Sequence, residues 1–336
     1  MKTVTAPRDV PVAPVTPPAA RSRRRRDPAP YLLLSPAGLV LAVVTLAPIG
    51  FLVFTSFTDY SQRTLFTGVY RFVGADQYTT LLQNPDFWVA LLRTVLFTAA
   101  MVAGSVLIGM GVSHLLTRLG RAWRNTVTVV LIVAWAMPNV ASSLVWNWLF
   151  QPGYGVVNWM LGALGSFLAW LSEAFGFPGG SGVFGDAAGL NWAQDPVLAY
   201  VVIWLLIVWQ AVPFIALTLN AAETQVPHEY KEAARLDGAS ESTVYRIVTL
   251  RFLRPTLLLV TILSVIWDYN VFNQIWLITR GGPDDATATL GVYTYKTAFV
   301  GFKIGNGAAI SVVTTLLLLG LTAVYIRNLL KAGEDL

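Results

Sequence analysis

The sequence predicts an all-α polytopic membrane protein with six transmembrane helices, and three observations carry that prediction. Apolar residues make up 55% of the chain and charged residues only 12%, with a mean hydropathy of +0.60, whereas an ordinary soluble domain carries about 25% charged residues. The apolar residues gather in long runs: Leu32–Phe57, Phe87–Leu116, Asn125–Phe150, Val197–Ala222, Thr256–Ile278 and Ile304–Ile326. Each holds roughly the 20 residues that a helix needs to cross ~30 Å of hydrocarbon. Lipid offers backbone groups no hydrogen-bond partner, so runs of this kind are expected to be helical. The third observation is charge placement. With six crossings and the N-terminus inside, seventeen lysines and arginines fall on the inner side and five on the outer, the bias expected of cytoplasmic loops.

Residues 1–30 precede the first run as a separate tail. Its Pro, Val, Ala and Thr content with no amphipathic period predicts disorder. Arg21, Arg23, Arg24, Arg25 and Arg26 stand directly before the first span, which favours contact with anionic headgroups and a cytoplasmic N-terminus over nucleic-acid binding. The first apolar run is too long for the core of a cleaved signal peptide. In the second span Arg93 lies near the outer end, where its side chain is expected to snorkel to the headgroups. His114, near the inner end, reads as a packed and satisfied histidine.

Between the third and fourth runs, Val156–Ala174 is apolar and nearly long enough to cross, but it is broken by Gly162 and Gly165 and carries Glu173. If it crossed, the basic block from Lys231 to Arg254 would move outside and the charge bias would vanish. It is therefore expected to be a re-entrant or interfacial helix on the outer face, with Trp159 and Trp170 as headgroup anchors. Phe177–Asn191, rich in Gly and Pro, reads as an exposed outer loop.

The inner loop between the fourth and fifth spans is the most informative segment. Pro227 suits a first helical turn. Glu229, Lys231, Glu232, Ala233, Ala234 and Arg235 favour helix, and Asp237-Gly238 ends it in a tight turn. Ser240 caps a second helix running toward Arg254 and Pro255. The product is a helix–turn–helix elbow with His228 facing solvent or a partner. Residues 331–336 form a short cytoplasmic tail after the sixth span.

Polar groups within spans are costly in lipid and are expected to face the interior. The fifth span carries Asp268, Asn270, Asn273 and Gln274 beside Trp267, Tyr269 and Trp276; Gln210 and Trp209 on the fourth span and Asn147 on the third add to them. Aromatic faces with amides suit sugars, whose C–H faces stack and whose hydroxyls need hydrogen-bond partners. Catalytic chemistry has little to work with. The chain has no cysteine and two histidines about a hundred residues apart, and it shows no metal-ligand spacing and no clustered intramembrane carboxylates.

Glu232-Ala233-Ala234 followed after three residues by Gly238 resembles the EAA loop of binding-protein-dependent ABC-importer permeases, and its surroundings resemble the carbohydrate branch, of maltose and glycerol-phosphate permease type. The segments Pro152 to Asn158, Asn270 to Phe272, Leu277 to Pro283 and Gly305 to Ser311 resemble further family segments in order, and the likeness covers nearly all of residues 31–328. Two positions depart from the pattern. Arg251 stands where the family usually has a helix-breaking proline, a role Pro255 is expected to take over, and Arg93 stands where an uncharged polar residue is usual.

The resemblance implies a transport subunit, not an enzyme, in a bacterial cytoplasmic membrane. It lacks a Gly-x-x-x-x-Gly-Lys-Ser/Thr phosphate loop, so ATP and Mg2+ belong to separate ATPase subunits. Glu232, Ala233, Ala234, Arg235, Asp237 and Gly238 would form the coupling helix that docks on that ATPase. A second, similar permease and an extracytoplasmic solute-binding protein complete the assembly, and Asp268 either faces solute or pairs with a basic residue of the second permease. The competing readings are a permease of the same family for a non-sugar solute and an ion-coupled secondary transporter, which would show internal repeats and broken helices.

Overall fold

The computed structural model describes residues 29–175 and 190–334. Residues 1–28 of the predicted N-terminal tail, with its arginine run, and residues 177–189 of the predicted outer loop lie outside the described residues. Secondary structure among the described residues is almost entirely helical, with one isolated β-bridge between Thr58 and Phe72. The chain divides into two units, residues 1–51 and 52–336. The first carries α1 (Ala29–Leu41), a π-helical turn (Ala42–Leu46) and the start of α2 (Ala47–Thr55).

The second unit holds everything that positions the site. Its outer segment contributes α3 (Gln62–Thr67) and α4 (Asp76–Gln83), followed by the long α5 (Pro85–Arg118). Then come α6 (Arg121–Trp135), α7 (Asn139–Leu149), α8 (Val156–Phe175) and α9 (Pro196–Glu223). The elbow is α10 (His228–Leu236) and α11 (Glu241–Val244). It leads through a π-helical turn (Tyr245–Thr249) into α12 (Leu250–Tyr269). α13 (Asn273–Ile278), α14 (Leu290–Tyr295) and α15 (Ile304–Glu334) finish the chain.

Among the described residues five helices are long and apolar enough to cross a membrane, and a sixth crossing results if α6 and α7 count as one span. α8 falls outside that set.

The packing runs opposite to that of a soluble protein. α5 and α9 form the most extensive helix pair. α5 turns Leu92, Val95, Leu96 and Leu107 outward while burying Thr94, Thr98, Ser105, Gly109 and Ser113. Small and hydroxyl residues let two helices approach closely when lipid gives no hydrophobic drive between them. Thus Gly104 lies under the ring of Trp204, whose Nε1 donates to the Ala100 carbonyl at 2.9 Å. Phe97, Met101, Ile203 and Ile207 continue this seam to Ile275 on α13.

Three expectations need correction. The third span is not one helix over 125–150: α6 and α7 meet at 98°. Pro138 lacks an N–H and disfavours helical backbone at Met137, so the helix ends and restarts there. The fifth span is likewise not continuous over 256–278, because α12 ends at Tyr269 and the Asn270 amide turns back to donate to the Ile266 carbonyl at 2.8 Å. Pro255, in turn, does not break the helix as expected but sits inside α12. The carbonyl it leaves unpaired belongs to Arg251, an exposed residue.

Arg93 also departs from expectation. Its Nη1 donates to the Asp285 carbonyl at 2.6 Å, and the Asp285 carboxylate pairs with Lys296. Arg93 is thereby tied to the outer loop after α13, where Arg280, Asp284 and Asp285 all adopt positive φ.

Candidate functional site

The two helix breaks converge on one space. A cavity of about 530 Å³ is lined by Trp135 at the end of α6, Asn139 at the start of α7, Gln210 and Phe214 on α9, and residues 266–268 and 270–274 around the α12–α13 break. Irregular backbone at membrane depth is tolerated where it lines a cavity or is buried in protein. Trp135 stacks on Phe214 with centroids 6.0 Å apart, and Phe214 meets Trp267 edge-on at 5.3 Å, giving a continuous aromatic wall. In the same lining three amides form a chain. Gln274 Nε2 donates to Gln210 Oε1 at 3.2 Å, and Gln210 Nε2 donates to Asn139 Oδ1 at 3.2 Å.

Of the residues singled out in the sequence, Gln210, Trp267, Asn270, Asn273 and Gln274 come together here, with Asp268. Four others lie elsewhere, among them Trp276, which stacks on Phe272 at 5.9 Å and meets Tyr295 at 4.7 Å. Tyr269 packs with Leu81, Phe87 and Ile310, its hydroxyl donating to the Thr314 carbonyl at 3.5 Å. Trp209 leans on Trp146 at 5.9 Å. Asn147 donates to the Leu277 carbonyl at 3.3 Å, accepts from Gln151 at 2.8 Å and borders a separate crevice of about 30 Å³. Trp135, Asn139, Phe214 and Phe272 escaped the sequence reading. Pro138-Asn139, a breaker beside an amide in mid-span, was the available signal.

Gln210 is the middle of the amide chain. Gln210→Leu is expected to take the amide partner from exposed Asn139 and to strand buried Gln274, at about 1–3 kcal/mol for the buried group. A folded, inserted protein with solute affinity down by about tenfold or more, read by equilibrium binding of a labelled disaccharide, is the expected result.

The second candidate region is the elbow. Gly238 has φ +85°, its N–H donates to the Arg235 carbonyl at 3.0 Å, and the Ala239 N–H reaches the Ala234 carbonyl at 3.0 Å. These two bonds form a Schellman cap. Ser240 then caps α11 by accepting from the Thr243 N–H at 3.4 Å. Arg235 bridges the turn to Glu241 with two bonds of 2.6 and 3.1 Å. The Glu241 carboxyl is consequently held below its ordinary range, chiefly by the Arg235 hydrogen bond.

Because that shift is downward, the bridge is complete above the ordinary glutamate range and is lost only as pH falls through the lowered value. Amide exchange at Gly238 and Ala239 is therefore expected to show no added opening across neutral pH and faster opening only once the pH has fallen below the ordinary glutamate range. Glu241→Gln should show that faster opening already at neutral pH.

Glu232, Ala233, Arg235, Asp237 and Gly238 are exposed and Ala234 is half-buried, while Leu236 is 88% exposed. The elbow is held from behind. Tyr230 packs on Phe252 at 5.4 Å and His114 on Tyr245 at 4.4 Å. His114 Nδ1 lies 3.4 Å from buried Glu223 at the end of α9, and His228 is exposed.

Comparison with known proteins matches residues 105–333 to the family described as binding-protein-dependent transport system inner membrane component. The diacetylchitobiose uptake system permease protein DasB of Streptomyces coelicolor is 40% identical over 91% of this chain and 88% of its own length. The sulfoquinovosyl glycerol transport system permease protein SmoG of Agrobacterium fabrum is 31% identical over 88% of each chain. A solved bacterial ABC transporter involved in the import of the acidic polysaccharide alginate shares the fold. Its TM-score is 0.71 at 16% identity, over 91% of this chain and 96% of that one.

Proposed function

Because the chain belongs to the family of binding-protein-dependent transport-system inner membrane components, we propose that it is a membrane-spanning permease subunit of an ATP-driven carbohydrate importer. Its cargo is a di- or oligosaccharide or related glycoside delivered by an extracytoplasmic binding protein. One observation carries the reading: α9 and α12, which bring Gln210 and Trp267 to the cavity, are the helices that enter and leave the elbow. A push on the elbow therefore reaches the cavity along α9 and α12.

The cavity chemistry supports a sugar. Trp135, Phe214 and Trp267 offer flat apolar faces to C–H surfaces, and the amides of Asn139, Gln210, Asn270, Asn273 and Gln274 match hydroxyls. The carbohydrate-named relatives support it too. The exposed elbow, with Leu236 and Tyr230 presenting apolar surface beside Ala233, is the docking surface for a separate ATPase subunit that binds ATP and Mg2+. An apolar patch on a protruding segment is the expected mark of a partner. A second, similar permease completes the pathway. The assembly sits in a bacterial cytoplasmic membrane in contact with lipid, with both termini of this chain in the cytoplasm.

Affinity purification of the chain from native membranes in gentle detergent tests the partners. Recovery of an ATP-hydrolysing subunit and a second permease is the expected result. A chain that comes out alone, with uptake that survives ATP depletion but not collapse of the proton gradient, would transfer the reading to ion-coupled transport.

A further inference from the structure

Asp268 is the one ionisable group lining the large cavity, whose wall holds no lysine, arginine or histidine among the described residues. The side chain is only 6% exposed, and its Oδ2 has no hydrogen-bond partner. None of the cavity's amides bonds to Asp268: Gln274, Gln210 and Asn139 bond to one another and Asn270 to its own helix. A buried acceptor without a donor costs stability unless something else supplies the donor. Sugar hydroxyls or a sugar ammonium in the cavity that Asp268 lines would do so once the carboxyl turns toward them. A carboxylate, sulfonate or phosphate on the sugar would instead meet a like charge across a site of low polarisability, with no cation to offset it.

We propose that Asp268 is a specificity-determining residue that sets the cargo class: neutral or amino sugars pass and acidic sugars are rejected. The inference rests on the carbohydrate-importer reading. The aromatic wall and amide chain recognise a saccharide of any charge, and Asp268 adds the sign.

The test uses the complete importer, with its partner subunits, and needs no binding protein. Because this chain has no cysteine, Ala211→Cys places a unique thiol of this subunit on the cavity wall. Its labelling rate by a small neutral thiol reagent is then measured against three probes: a neutral hexose disaccharide, a glucosamine dimer and a hexuronate disaccharide. With Asp268 present, the hexuronate is expected to need a concentration about tenfold or more above the neutral sugar for half-protection, and the glucosamine dimer no more than the neutral sugar. In Asp268→Asn the three should fall within roughly threefold of one another. Asp268→Ser gives the same readout if the asparagine variant assembles poorly.

Equal protection by hexuronate and neutral sugar with Asp268 present, or a gap that persists in both variants, overturns the inference and leaves the carbohydrate reading standing. Loss of the second permease from both variants also overturns it, by assigning the carboxylate to a partner cation. Protection by none of the three saccharides removes the carbohydrate reading, and this inference with it.

Discussion

Replacing Gly238 with proline is expected to abolish transport and release the ATPase subunit while leaving the chain inserted. Two independent features of the turn are lost together. The Gly238 backbone sits at φ +85°, far from the −65° that the pyrrolidine ring enforces. The Gly238 N–H that closes the cap on the Arg235 carbonyl at 3.0 Å does not exist in proline. The cap is what stops α10 and turns the chain so that Ser240 can start α11, so its loss swings the exposed face of α10 away from its partner.

Gly238→Ala separates the causes. A Cβ there meets nothing within 4 Å, so the alanine variant bears only the left-handed backbone cost of roughly 1–2 kcal/mol and keeps the N–H. Transport reduced but measurable in the alanine variant, and absent in proline with normal membrane yield, is the expected pair. Normal uptake in correctly inserted Gly238→Pro would remove the coupling role of the elbow.

The second large effect is expected at Gly305, at the start of α15. A Cβ on Gly305 would lie 2.2 Å from the Thr58 carbonyl oxygen and 3.2 Å from the Tyr60 nitrogen. Both are backbone atoms, which cannot swing aside as a side chain can. The Gly305 N–H also donates to the Tyr60 carbonyl at 2.8 Å, so separating the segments breaks a hydrogen bond as well. Gly305→Ala should therefore lose about 1–3 kcal/mol or more, seen as a sharp fall in monodisperse protein on detergent extraction. Gly320→Ala, on the same helix with nothing within 4 Å, should extract like wild type.

The elbow was legible because its determinants are local, though Pro227 falls at the N-cap of α10 and not in its first turn. Pro227, Asp237-Gly238 and Ser240 each act on their own backbone, and the turn, the positive φ and the cap follow from those side chains alone. The membrane spans were legible as lengths for the same reason. Where the reading drifted, the deciding contacts were distant in sequence. Hydropathy averaged over 125–150 hides the break at Pro138, since both halves are apolar, and the window over 256–278 runs across the turn at Asn270 in the same way. The partners of Arg93 and Gln210 lie 192 and 71 residues away, so no local rule finds them. Trp209 and Tyr269 were grouped with the cavity because they neighbour Gln210 and Asp268 in the chain. On a helix, though, adjacent residues point about 100° apart, which is enough to send one to the cavity and the other to a packing seam.

Uptake of a labelled disaccharide into proteoliposomes is the most direct measurement. These would hold this chain with its second permease and ATPase subunits, and the binding protein would be supplied outside. Accumulation that requires ATP and Mg2+ on the ATPase side, persists without an ion gradient, and falls about tenfold or more in Gln210→Leu is the result expected of a carbohydrate permease whose cavity is the pathway. Accumulation driven by an ion gradient without ATP would contradict it, as would ATP-driven transport that excludes every saccharide yet carries another class of solute.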